Sequence, residues 1–233
     1  MRAIFLLGVN FARTQWIALA VMTAYIVGIG GVFRSRVHAI DVLFFLRWHA
    51  GYAVFLATMM AVPALHMERK TRRILAVLSK GIHRWQYLGG LLLGCAIAAA
   101  LFCALVGGIA VWLCQEGGIN GQGIPSVAVA LFCCCVAAAA TALFFSTFLH
   151  PLLAAAATSV VLGFPFVLEA LGRSPAWGLS SVAWMFHFLL EFELQAPGSE
   201  IARIAVAALC QTAVFLVAAS AVFARRDVTI SPE

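Results

Sequence analysis

The side chains of this 233-residue sequence that could bind a metal or move a proton are six histidines, seven cysteines and nine carboxylates. Cys95, Cys103, Cys133, Cys134, Cys135 and Cys210 lie inside apolar stretches, and Cys114 lies at the end of one. None shows the C-x-x-C spacing of a zinc or redox site. Cys133, Cys134 and Cys135 are consecutive, so on a helix they point about 100° apart and cannot converge on one ion. They read as small buried hydrophobes. Bis-histidine haem ligation needs two imidazoles facing each other at one depth. By the topology derived below, His38, His49 and His187 share one side, and His66, His83 and His150 share the other. His49 with His187, or His66 with His150, could bridge a haem, although no additional motif supports it. The sequence holds no Gly-x-x-x-x-Gly-Lys-Ser/Thr phosphate loop and no H-E-x-x-H, so no catalytic, cofactor-binding or metal constellation is assigned.

Composition says where these residues must sit. Hydrophobic residues make up 64% of the chain and charged residues 10%, with a mean hydropathy of +1.03. A soluble domain is about 45–50% apolar and about 25% charged. So few ionisable groups cannot cover so much apolar surface in water. Soluble enzymes, nucleic-acid readers and disordered tails are excluded, and an integral membrane protein remains.

A membrane helix needs about 20 mostly apolar residues. The gaps between charges predict six spans, at about 16–33, 48–65, 87–113, 125–149, 151–168 and 203–224. The long uncharged run from Gly117 to Leu168 is divided at His150-Pro151, because proline cannot donate a backbone hydrogen bond and disfavours helix in the residue before it. Six helices leave no room for a soluble domain, so 1–233 reads as a single all-α transmembrane domain. Arg13 interrupts what would be the core of a signal peptide, which argues against cleavage.

Orientation follows from the basic residues in the short loops. With the N-terminus cytoplasmic, ten of the fifteen Lys and Arg fall on the inner side, while six of the nine acidic residues fall outside. Both termini are then cytoplasmic. Arg34, Arg36 and Arg47 are the exceptions, and they can snorkel to outer headgroups. Every charged residue falls at or near the end of a span.

Two connecting segments carry further information. Residues 1–13 place two arginines around Ile4, Phe5, Leu6, Leu7, Val9 and Phe11, a pattern that suits a helix lying in the inner interface. The stretch from His66 to Tyr87 is basic and amphipathic. Read as a helix from Glu68, it gathers Ile74, Leu75 and Leu78 on one side and crowds Glu68, Arg69, Arg72 and Arg73 into its first half, and Gly81 stops it. Such a helix-turn could dock in a groove on a soluble partner or lie on anionic lipid.

That loop resembles the first cytoplasmic loop of ABC-2 type transporter permeases, with Glu68, Leu78-Ser79, Ile82-His83-Arg84 and Tyr87-Leu88-Gly89 in the order the family shows. The tail Phe223-Ala224-Arg225-Arg226-Asp227-Val228 is similar to the family's ending. Arg72-Arg73, Gly81 and Gly90 depart from its pattern. The resemblance implies an N-terminal interfacial helix, six spans, a cytoplasmic coupling helix in the loop 66–86, and external interfacial helices in the segment 169–202. It implies that Glu68, Arg69, Arg72, Arg73, Leu75, Leu78, Ser79 and Arg84 dock an ABC ATPase subunit, itself a dimer, which holds ATP and Mg while this chain binds no cofactor. Glu169, Trp184 and Phe188 would close the outer end of the path, and Phe164 and Phe166 would line it. A second permease chain, identical or related, would complete an exporter in a bacterial-type inner membrane. The uncharged fifth span suits an amphiphilic or lipid-like cargo. A membrane-embedded haem or metal redox subunit and a non-transporting scaffold are the alternative readings.

Overall fold

The computed structural model describes residues 2–34, 38–70, 83–170 and 198–225. These residues form seven helices and no strand: α1 (Arg2–Thr14), α2 (Trp16–Phe33), α3 (Ala39–Lys70), α4 (Arg84–Glu116), α5 (Ile124–Ser146), α6 (Pro151–Ala170) and α7 (Gly198–Arg225). Four segments are long and apolar enough to cross a membrane: Ala39–Glu68, Arg84–Glu116, Ile124–Ser146 and Ile201–Phe223. A fifth span is possible if the bent pair α1–α2, with 62° between its arms, counts as one. The fold is therefore all-helical and consistent with a multi-pass membrane protein.

Local chemistry sets the helix ends. At the start of α3 the His38 N–H donates to the Asp41 carboxylate at 3.0 Å, and at the start of α4 the His83 N–H donates to Gln86 Oε1 at 3.1 Å. Helix α4 stops at a glycine pair. Gly118 takes a positive φ of 62°, and the Ile119 N–H reaches back to the Cys114 carbonyl at 2.8 Å. That left-handed turn costs a residue without Cβ little. Pro125 sits in the first turn of α5 and Pro151 begins α6, positions where a missing N–H leaves no bond unmade.

Helix α5 is the axis of the bundle. It packs against α3, α4, α6 and α7, while α4 carries α1 and α2 on its other side. Surrounded along most of its length, α5 exposes only Pro125, Ser126 and Val129, near its start. The run Ala137–Ala140 and all three consecutive cysteines are accordingly buried. Small side chains let neighbouring backbones come close, which is how apolar helices associate where water supplies no driving force. One polar contact joins α7 to this axis: Gln211 Nε2 donates to Thr141 Oγ1 at 3.2 Å. Cys95, Cys103 and Cys114 are also buried, as the sequence reading expects, but Cys210 is exposed. It lies on the outward side of α7 with Val206, Leu209, Val214 and Val217, because that helix touches the bundle along one stripe only.

Helix α3 differs from expectation at its start. The charge gap suggests a span beginning at Trp48, yet the helix begins at Ala39 and runs 32 residues. Arg47 therefore lies within the helix body, half-buried, rather than at a span end. The bond from the His38 N–H to the Asp41 carboxylate marks where the helix begins.

Candidate functional site

The strongest sequence signal is the basic loop, and its two ends can be placed. Glu68 lies in the last turn of α3 and Arg84 opens α4. Tyr87, fully buried one turn into α4, donates its hydroxyl to Glu68 Oε2 at 3.2 Å. The Arg84 guanidinium donates through Nη1 to the Phe223 carbonyl at 2.8 Å, and it lies 5.8 Å from the centre of the Phe223 ring. Phe223 belongs to the last turn of α7, where unpaired carbonyls leave negative partial charge, so a cation there is favoured twice. The ends of α3, α4 and α7 are thereby tied at one end of the bundle. The opposite end is marked by Arg34, which pairs with Glu116 at 3.6 Å and lies over the Trp112 ring at 5.5 Å.

Helix α1 braces the same loop end. Gly8 of α1 lies against Gly90 and Leu93 of α4. A Cβ added at Gly94 would meet Phe11 Cδ1 at 2.6 Å and the Gly8 carbonyl at 2.9 Å. One added at Gly90 would meet Leu7 Cδ2 at 2.5 Å. Glycines at these positions allow the two backbones to cross in contact. Of the other glycines that the sequence places in this span, Gly107 would meet Ala128 of α5, whereas Gly89 and Gly108 face open space.

The remaining residues of the sequence reading divide by position. Glu68 and Arg84 are brought to the same end and fixed there. Arg69 belongs to α3, but its side chain lies outside the described residues. Arg72, Arg73, Leu75, Leu78 and Ser79 lie outside them altogether, as do Trp184 and Phe188. Phe164, Phe166 and Glu169 fall on the last turns of α6, with their side chains outside the description. Tyr87 and Phe223 were quoted from the sequence as parts of motifs, but as partners of Glu68 and Arg84 they were missed. Contacts across 19 and 139 residues leave no local pattern to read.

Of the two histidine pairs, His66 and His150 come together at the loop end, with ring centres 5.7 Å apart and both residues exposed. His49 is buried in α3, where its Nδ1–H donates to the Phe45 carbonyl at 2.7 Å, and Tyr25 and Phe45 pack against its ring. His187 lies outside the described residues. Among the described residues no group of three or more His, Cys, Asp or Glu is placed to hold a metal ion. Compared with protein-family models and with curated proteins, the sequence matches none.

Proposed function

We propose that this chain is the membrane subunit of an ABC-2 type, ATP-driven exporter, with ATP hydrolysed on a separate subunit docked at the loop 66–86. The observation that carries the reading is the bracing of that loop at both ends: Glu68 is held by Tyr87, and Arg84 by the Phe223 carbonyl. A loop that passes mechanical work must issue from a stiff base, and these two bonds join the ends of the three long helices α3, α4 and α7. The glycine crossing of α1 on α4 adds a fourth helix to that base.

In this reading α2 and α6 are the first and fifth of six spans. Their 18 and 20 residues reach about 27 and 30 Å at 1.5 Å per residue, within the range of about 17–25 residues over which membrane helices span. Helix α1 lies in the inner interface with Phe5, Leu6 and Val9 turned away from α4. Both termini are cytoplasmic, in a bacterial-type inner membrane. The apolar outward side of α7 is available to lipid or to a second permease chain, and the cargo is amphiphilic or lipid-like.

Co-purification tests the docking. A Leu75→Asp, Leu78→Asp double variant, still folded by its helical circular dichroism, loses a co-purifying ATPase subunit that the native chain retains. Undiminished association in that variant would remove the basis of the proposal. Transport assays that find a small hydrophilic ion as sole substrate would refute the cargo assignment alone.

A further inference from the structure

We infer that His66 and His150 form an exchangeable two-histidine site for a divalent ion of the zinc class, bridging the end of α3 to the start of α6. The two rings come from helices 84 residues apart in sequence, and they meet with centres 5.7 Å apart. A zinc–imidazole bond of about 2.0–2.1 Å puts the ion about 3.2 Å from a ring centre. Two rings on one ion are then separated by about 5.2 Å at the tetrahedral angle and about 6.4 Å when opposed. The observed spacing falls inside that interval.

The backbones beneath the rings are fixed. One turn before His150, the Ser146 hydroxyl is shared between the Ala142 carbonyl at 2.7 Å and the Val62 carbonyl at 3.0 Å, and Val62 is one turn before His66. Val62 and Ser146 are both buried. On the far side of this connection, the Ala154 N–H of α6 donates to the His150 carbonyl at 2.8 Å, holding His150 at the cap of that helix. The pair is therefore presented by two anchored frames, while the rings themselves are exposed and free to turn onto an ion.

Imidazole suits zinc, nickel and copper, whereas magnesium and calcium prefer oxygen ligands. The described residues add no third His, Cys, Asp or Glu to make a cluster, and an ion held by two imidazoles alone exchanges with solvent. An ion bound to both rings stabilises whichever arrangement keeps α3 and α6 together at this end. The site needs only the two rings, so it stands or falls independently of the transport reading.

The test is a calorimetric titration of tag-free, detergent-solubilised protein with Zn²⁺, using Mg²⁺ as the negative control. His66→Gln and His150→Gln change exposed side chains and leave the helical circular dichroism intact. The expected result is one saturable Zn²⁺ per chain, with either substitution raising the dissociation constant at least about tenfold, equivalent to about 1.4 kcal/mol. His38→Gln, at the opposite end, leaves it unchanged. Overturning results are an absence of saturable Zn²⁺ binding to the native chain, binding that survives either single substitution, or an equal loss in His38→Gln.

Discussion

Two helix pairs in the first half of the chain are joined by opposite means. Helix α1 meets α4 backbone to backbone, because Gly8, Gly90 and Gly94 leave nothing between them. Helices α2 and α3 hardly approach through their backbones among the described residues, and rings fill the space instead. Tyr25 lies 6.0 Å from His49 and 5.9 Å from Tyr52, while Phe33 lies 6.1 Å from Phe45. The crossing has no room for another atom, and the ring-filled seam has no other material to replace a lost one. Close-packed interiors respond to both changes, but with opposite dependence on side-chain volume. The stiff joint is at the loop end. The seam lies toward the other end.

The largest effect is expected in the seam. Phe45 is 1% exposed and its ring meets that of Phe33 across the seam with centres 6.1 Å apart, so Phe45→Ala should cost about 3–5 kcal/mol. Phe45→Leu, which refills most of the volume, should recover more than half of it. Denaturant titration in detergent followed by helical circular dichroism reads both, and an Ala variant as stable as the native chain would show that the rings do not hold α2 to α3. The crossing should answer the other way round. Gly94→Ala adds a single methyl against the Gly8 carbonyl, a backbone atom that cannot step aside, and should cost about 1–3 kcal/mol. Gly89→Ala, on the same helix with nothing within 4 Å, should be neutral or stabilising by up to about 1 kcal/mol through helix propensity. Equal responses at the two glycines would mean that α1 is not seated on α4.

Charge gaps and prolines made the helices legible. The divider at His150-Pro151 falls where α5 gives way to α6, and the first apolar run coincides with α2. The start of α3 was not legible, since a span edge drawn at a charge misses a helix that continues past Arg47. Nothing local in the sequence marks Gly90 and Gly94 as the points where the N-terminal helix crosses. Glu68 and Arg84 stood out by type and by the family they resemble. Their partners Tyr87 and Phe223 did not, because a hydrogen bond to a main-chain carbonyl 139 residues away leaves no trace in composition or period.

The smallest effects separate the two ends of the bundle by their arginines. Arg84 and Arg34 each lie over an aromatic ring, but Arg84 is half-buried and donates to a carbonyl at a helix terminus. Arg34 pairs with Glu116 while its side chain remains 62% exposed. Hydrogen bonds from a charged donor contribute more than neutral ones, and solvent screens exposed ion pairs to little or nothing. Arg84→Gln should therefore destabilise by about 1–2 kcal/mol, with little dependence on salt because its acceptor is a neutral carbonyl. Arg34→Gln should cost less than about 0.5 kcal/mol, and that difference should shrink further in high salt. The comparison is sharpest when both variants are unfolded in the same detergent at two ionic strengths. If Arg34→Gln proved the more costly, the far end rather than the loop end would be the one locked by charge, and the assignment of the stiff base to α3, α4 and α7 would have to be reversed.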